Sequence, residues 1–367
     1  MDTTSLEDLP YEIQGCVGHY LDQCDLRVCV GVSRAWRTMF HPLLWRHVHI
    51  VWRSDTSQSN TPTELKTNRH LIRSLKLECD GIYLHEFYRC CPPSLPSFPS
   101  LTSLEYKGQI YHKGGGGCEL VDLIMSGGSA AAGGWKSLVF HLDGEWAYCY
   151  EFMPYFFDTL IEHAAPTLEV LRFEGVLTIS GNDINRTLCS APNLKQLRIA
   201  YDGIHGTSSC LNAQDIVKSE WICNDLEVFA WPIGSIPRPD ITRDILGQFD
   251  FLGNGNLQEN INLQRRVYAK LARLPKLREL SLGTPLIIDD VDYDSGDKEL
   301  FRQYDCLAMT LDSGLDLLRD LKNLRIVGLA DMEVYIDGDR EQTWFAEHWP
   351  NATIGSTNYE SDRDDWD

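Results

Sequence analysis

One phrase recurs eight times along the chain: an apolar residue, two variable residues, then apolar, any, apolar. It reads Ile72/Leu75/Leu77, Leu101/Leu104/Tyr106, Trp135/Leu138/Phe140, Leu168/Leu171/Phe173, Leu194/Leu197/Ile199, Leu226/Phe229/Trp231, Leu277/Leu280/Leu282 and Leu324/Val327/Leu329. The first positions lie 26 to 51 residues apart. A unit of that size cannot bury its apolar face alone and covers it by stacking on its neighbours. The last three positions alternate, which suits a short strand with one face buried. Proline stands two places before the first position at Pro99, Pro166, Pro192 and Pro275, where the 16 prolines of 367 residues would place fewer than one by chance. Proline cannot continue a helix and favours an extended approach to the strand.

Helical spacing precedes several phrases. Leu263, Val267, Leu271 and Leu274 show it, as do Tyr304, Leu307, Leu311, Leu315 and Leu318, and Phe152, Tyr155, Phe156 and Leu160 begin a third run. The expectation is an α/β array with parallel strands at or near 75–78, 104–107, 138–141, 171–174, 197–200, 280–283 and 327–330 and helices outside. The positions three residues past the phrase include Asp80, Gln109, Asp143, Asp202, Gly234, Pro285 and Met332, and none is the asparagine of a regular leucine-rich repeat. The repeats are also longer than the ~20–29 residues of that regular motif. Insertions are expected at Gly114–Gly117, Gly127–Gly134 and the acidic run Asp289–Glu299.

Charge narrows the partners. The chain has 33 basic and 53 acidic residues, a net of −20. Nucleic-acid surfaces reward clustered Lys and Arg, so a polyanion partner is disfavoured. From Pro285 to Asp367 there are 21 acidic and 7 basic residues, so this stretch either solubilises the chain or favours a partner with a basic patch. No apolar run approaches the ~18 residues of a membrane helix, and the first eight residues do not resemble a signal peptide. The expectation is a cytoplasmic or nuclear protein. Twelve cysteines include no C-x-x-C pair, so they read as small buried apolar residues, not zinc ligands or a disulfide framework. His47 and His49 share a face of an extended segment without a third ligand nearby, and no metal or other cofactor is expected.

Catalytic signatures are missing. No G-x-S-x-G elbow, phosphate-binding loop, H-E-x-x-H helix or dinucleotide fingerprint occurs. Asp143 and Glu145 around Gly144 read as a solvated turn. The chain is expected to do no chemistry itself.

The N-terminal residues carry a different pattern. Leu9-Pro10-Tyr11-Glu12-Ile13 opens it, and Ile13, Val17 and Leu21 stack at four-residue intervals on one helical face. Leu26, Cys29 and Val30 suit a second short helix. Ser33 suits the cap of a third, which carries Trp36 and Phe40. Pro42-Leu43-Leu44-Trp45 closes the segment. Three short helices in some 45 residues bury too little surface to be secure alone, so an apolar face is left to meet something else.

Leu-Pro-x-Glu-Ile, then Val32-Ser33-Arg34-x-Trp36, then Leu-x-Trp at this spacing resembles an F-box. The resemblance implies binding to the Skp-type adaptor of a cullin–RING ubiquitin ligase through Leu9, Pro10, Ile13, Val17, Leu21, Leu26, Val32 and Trp36. Where the family has a bulky apolar pair after Glu-Ile, this chain has Gly15-Cys16. The remainder resembles fungal F-box proteins with degenerate leucine-rich repeats, whose closing phrase is similar to Trp344–Asn351. The implied fold is α/β: a short N-terminal three-helix F-box followed by an irregular leucine-rich-repeat-like solenoid. The implied division is an F-box module at 1–50, a linker at 51–66, repeats at 67–355 and a disordered acidic tail at 356–367. The implied role is the substrate-recognition subunit of a Skp–cullin–F-box ligase, with the cullin scaffold and a target protein as further partners. The alternative is a repeat scaffold without a ubiquitin role, its N-terminal helices capping the array.

Overall fold

The computed structural model describes residues 10–53, 61–83, 98–109, 116–142, 150–151, 154–175, 177–200, 210–236, 257–283, 307–329 and 339–355. They divide into two compact units, Met1–Ser137 and Leu138–Asp367.

The first unit opens with three helices, α1 (Tyr11–His19), α2 (Gln23–Val32) and α3 (Arg34–Leu44). Their boundaries follow from caps. The Pro10 carbonyl accepts the Ile13 and Gln14 amides at 2.9 and 3.0 Å. Asp22 Oδ1 accepts the Asp25 amide at 2.7 Å, and Ser33 Oγ accepts the Trp36 amide at 3.1 Å. Ser33 is the expected cap and the single residue between α2 and α3. Removing it with Ser33→Ala is expected to cost about 1 kcal/mol, read from chemical denaturation of the full chain. The module's core is small: Phe40 and Leu26 are buried, Trp36 meets the Phe40 ring edge-on at 5.5 Å, and Gly18 lets α1 approach Phe40 and Leu43.

A parallel sheet begins before the helical module is expected to end. β1 (His47–Arg53) pairs in register with β2 (Ser74–Tyr83), which pairs with β3 (Ser103–Gln109). The expected linker at 51–66 is therefore narrower, with β1 reaching Arg53 and α4 (Thr61–Asn68) already begun at Thr61. Val48 and Ile50 alternate with exposed His47 and His49, a strand signature that the helical pattern before it obscured. The unit continues through α5 (Gly116–Ser126).

The stretch Gly127–Gly134, expected to be an insertion, is part of the packing. The Gly128 amide donates to the Leu101 carbonyl at 2.8 Å. Trp135, fully buried, lies over Gly127 and Gly128 and donates from Nε1 to the Ile124 carbonyl at 3.0 Å. Gly128 has φ +62°, and a Cβ there would fall 2.2 Å from the indole. Gly128→Ala is therefore expected to destabilise the first unit by about 2 kcal/mol, measured by denaturant unfolding of the full chain. The other glycine-rich stretch is partly described: Gly116 starts α5, while 114–115 lie outside the described residues, as do the acidic run Asp289–Glu299 and the tail 356–367.

The second unit contains β4 (Ser137–Leu142), β5 (Tyr150–Glu151), β6 (Val170–Gly175), β7 (Leu177–Thr178), β8 (Gln196–Ala200), β9 (Leu211–Asn212), β10 (Val228–Ala230), β11 (Ile233–Gly234), β12 (Glu279–Ser281), β13 (Ile326–Gly328) and β14 (Thr353–Gly355). Its main sheet runs β4-β6-β8-β10-β12-β13-β14. The registers from β6 to β14 are all parallel, and the short pairs β5/β7 and β9/β11 are parallel too. The expected strand positions coincide with β2, β3, β4, β6, β8, β12 and β13, and the phrase at Leu226 adds β10. Helices precede the strands: α6 (Pro154–Thr159), which continues as a π turn over Leu160–Ala164, α7 (Gly181–Leu188), α8 (Ala213–Lys218), α9 (Leu257–Leu271) and α10 (Asp339–His348).

Each phrase contributes its apolar positions to the core. Leu138, Phe140, Leu171, Phe173, Leu197, Phe229, Leu280 and Val327 are fully buried, and Phe140 stacks on Phe173 with centroids 5.4 Å apart. A shared carbonyl sets the step between phrases. Paired amides of Lys195/Gln196, Glu227/Val228, Arg278/Glu279 and Arg325/Ile326 donate to Glu169, Lys195, Glu227 and Arg278 in turn, at 2.7–3.1 Å. The prolines take part as acceptors: Asn193 Nδ2 donates to the Pro166 carbonyl at 2.8 Å and Asn323 Nδ2 to that of Pro275 at 2.9 Å. The asparagines Asn193 and Asn323 thus stand before the strand, whereas in a regular leucine-rich repeat the asparagine stands after it.

The helical run expected from Tyr304 to Leu318 is corrected. Residues 307–310 are irregular, 311–314 form turns and only Leu315–Leu318 is a 3₁₀ turn, while 304–306 lie outside the described residues. Its backbone groups bond elsewhere. Gln264 Oε1 accepts the Ala308 amide at 2.9 Å, Tyr268 Oη donates to the Ala308 carbonyl at 2.8 Å, and Glu341 Oε1 accepts the Leu311 amide at 3.1 Å. Thr310 and Ser313 exchange side-chain-to-amide bonds, and Gly314 takes φ +118°. Those side-chain partners offer the backbone an alternative to the helix.

Candidate docking surface

The three N-terminal helices leave an apolar face uncovered. Ile13 is 48 % exposed, Val28 69 % and Val32 59 %, and Tyr20 stands almost free of the surface. Val17, Leu21 and Trp36 are half-buried beside them, and Pro10 is exposed. Large apolar side chains scattered singly are ordinary; several on one small three-helix module are a marker of association.

The structure separates the eight residues named for docking. Pro10, Ile13 and Val32 are exposed, Val17, Leu21 and Trp36 are partly covered, and Leu9 lies outside the described residues. Leu26 is different: at 5 % exposure it serves the module's own packing and presents no surface. Its spacing from Cys29 and Val30 does not mark it out in sequence, but it is the buried residue of α2. Tyr20 and Val28 were missed. Tyr20 lies just past α1, where helical spacing gives no signal, whereas Val28 stands four residues before Val32 on α2 and that spacing could have found it. At the position of the unusual Gly15-Cys16 pair α1 forms without interruption, Cys16 is exposed and a Cβ on Gly15 would meet nothing within 4 Å.

Residues 6–51 match the F-box-like family. The chain thus carries an F-box-like domain, and the match includes α1, α2, α3 and β1 through Val51. No curated protein matches the chain. The last five matched residues, His47–Val51, are therefore strand residues paired with β2.

Along the sheets, polar side chains stand in rows. In the first unit Lys76 lies 2.9 Å from Glu105 and 3.4 Å from Glu78, which also meets His49 at 3.2 Å. In the second, His141 Nδ1 meets Glu174 Oε2 at 2.6 Å. That bond to His141, opposed by burial and aided by the charges of His141, Arg172 and Arg198, holds the Glu174 carboxyl below its ordinary range. Arg198 Nη2 meets Glu279 Oε2 at 2.5 Å in a largely covered position.

The expectation that most cysteines are buried is corrected for the described ones. Cys79 and Cys223 are buried, with thiols that burial pushes up to about 12, but Cys16 and Cys24 are exposed and Cys29, Cys189 and Cys210 are partly so. Short helices with little core leave their small residues outward as often as inward. Among the described residues no cluster of His, Cys, Asp or Glu could hold a metal ion, and no helix is long and apolar enough to cross a membrane.

Proposed function

We propose that this chain is the substrate-recognition subunit of a Skp–cullin–F-box ubiquitin ligase. The observation that carries the reading is an F-box-like domain whose helices expose Ile13, Val28 and Val32. The Skp-type adaptor docks on these residues with Pro10, Val17, Leu21 and Trp36, while Leu26 supports them from beneath. The parallel strands after the domain form a leucine-rich-repeat-like solenoid of the degenerate fungal kind, spanning about 67–355 and followed by an acidic tail. The solenoid holds a target protein near the ubiquitin-charged enzyme, so the chain's contribution is proximity and not catalysis.

The target carries a basic patch in this reading, because −14 of the net −20 falls in Pro285–Asp367. The complex works in the cytoplasm or nucleus. Co-purification of the full chain with a Skp-type adaptor and cullin tests the proposal. Stoichiometric capture supports it, and a folded chain that binds no adaptor leaves the competing reading, a repeat scaffold capped by its N-terminal helices.

A further inference from the structure

Residues 26–76 run against the charge of the rest of the chain. Nine Lys and Arg stand against two Asp and Glu, a net of +7, while the remaining residues carry −27. The first unit gathers part of this excess where the F-box-like helices meet the strands. Arg46 precedes β1 and Arg73 precedes β2, and the Arg73 and Ser74 amides both donate to the Arg46 carbonyl, at 2.9 and 3.0 Å. That shared carbonyl puts two arginines on adjacent strand starts.

Arg46 reaches back to α1. Its Nη1 lies 3.1 Å from His19 Nε2, and its buried Nε has no hydrogen-bond partner among the described residues. A guanidinium only donates, so His19 serves it by accepting while neutral. The His47 ring is exposed next in sequence, and Arg73 and His19 are exposed as well. Burial, and then the charge of Arg73, hold the Arg46 guanidinium below its ordinary value. Burial, then Arg46 and His19, push the His47 imidazole down. Other charged groups on these elements include Glu12 in the first turn of α1, Asp22 and Asp25 at the start of α2, Asp22 accepting the Asp25 amide, Arg27 on α2, His49 and Arg53 on β1, His49 meeting Glu78, Arg69 and His70 in the 3₁₀ turn before β2, and Lys76, which is held by Glu78 and Glu105.

We propose that His19, Arg46, His47 and Arg73 form a docking site for an acidic segment of a protein partner. Carboxylates supply the acceptors that two adjacent arginines can engage in bidentate fashion. A long nucleic acid would also meet the negative remainder of the chain, whereas a short acidic segment is confined to the cluster. A bound carboxylate favours the imidazolium form of His47, so binding takes up a proton and strengthens on acidification. Its residues differ from those of the apolar face, Ile13, Val28 and Val32.

Fluorescence anisotropy with the full chain, a labelled poly-glutamate peptide of about ten residues and its poly-glutamine counterpart tests the site. The glutamate peptide binds and the glutamine peptide does not, and affinity rises about threefold from about pH 7.5 to about pH 6. Arg73→Gln with His47→Gln, both at exposed side chains, weakens binding about tenfold, and each single change about threefold. Arg27→Gln with Arg34→Gln removes two exposed arginines elsewhere and changes binding less than about twofold. Equal loss in both double variants, or an affinity independent of pH, overturns the proposal, as does tighter binding of a single-stranded oligonucleotide of the same charge. Adaptor capture by Arg73→Gln/His47→Gln stays intact, which keeps this result apart from the ligase reading.

Discussion

Replacing Ile13 and Val32 by aspartate is expected to abolish capture of a Skp-type adaptor while shifting the thermal midpoint of the chain by less than about 3 °C. Both side chains are about half or more exposed in the free chain, so the new carboxylates stay hydrated there and disturb no core. In a complex that covers this face the same carboxylates would be desolvated without a partner, at a cost on the order of several kcal/mol, enough for a loss of binding beyond a hundredfold. Leu26→Asp makes the contrast. Leu26 is buried between the helices, so that charge should unfold the module and remove adaptor capture for a different reason. Adaptor co-precipitation and melting, measured on the same preparations, separate the two. Undiminished capture by Ile13→Asp/Val32→Asp would place the docking surface elsewhere, and a large fall in melting temperature would mean that this face is covered within the chain.

The second large effect is expected at Glu279. Its side chain is 8 % exposed, and its partner Arg198 is 21 % exposed on β8, two strands away. Between them on β10, Ala230 is the register neighbour of Arg198 and Val228 that of Glu279, so the pair spans the strand diagonally. Glu279→Ala removes a charged partner from a partly buried guanidinium that keeps the Glu174 carboxylate in its field and should cost about 2 kcal/mol in chemical denaturation. Replacing both partners, with Arg198→Met and Glu279→Leu, should recover most of that loss, because two apolar side chains need no charge compensation. A loss below about 1 kcal/mol for Glu279→Ala would show the pair to be as weak as an exposed surface bridge.

Local patterns were readable wherever the physics is local. The eight phrases marked the strands because alternation is a property of adjacent residues: Leu75 and Leu77, or Leu171 and Phe173, point to one side of any extended chain. Ser33 could be recognised as a cap because its bond to the Trp36 amide spans three residues. Leu-Pro-x-Glu-Ile with Ser-Arg-x-Trp pointed to the F-box-like domain that the family match places at 6–51.

Tertiary structure decided what depends on neighbours distant in sequence. Leu26 and Val32 are both apolar residues of α2, yet one is buried and the other is exposed, a difference set by how the helices pack and not by their spacing. Residues 307–314 carry helical periodicity but form no α-helix, because Gln264, Tyr268 and Glu341 take up their backbone bonds from 30 to 44 residues away. Glycine richness from 127 to 134 looked like a loop until Trp135 folded over it. The +7 of residues 26–76 could be counted in the sequence, but the pairing of β1 with β2 brings Arg46 beside Arg73 and the helices bring His19 to Arg46. Periodicity records which side of an element is apolar; only the packed chain decides which apolar sides are covered and which charges stand together.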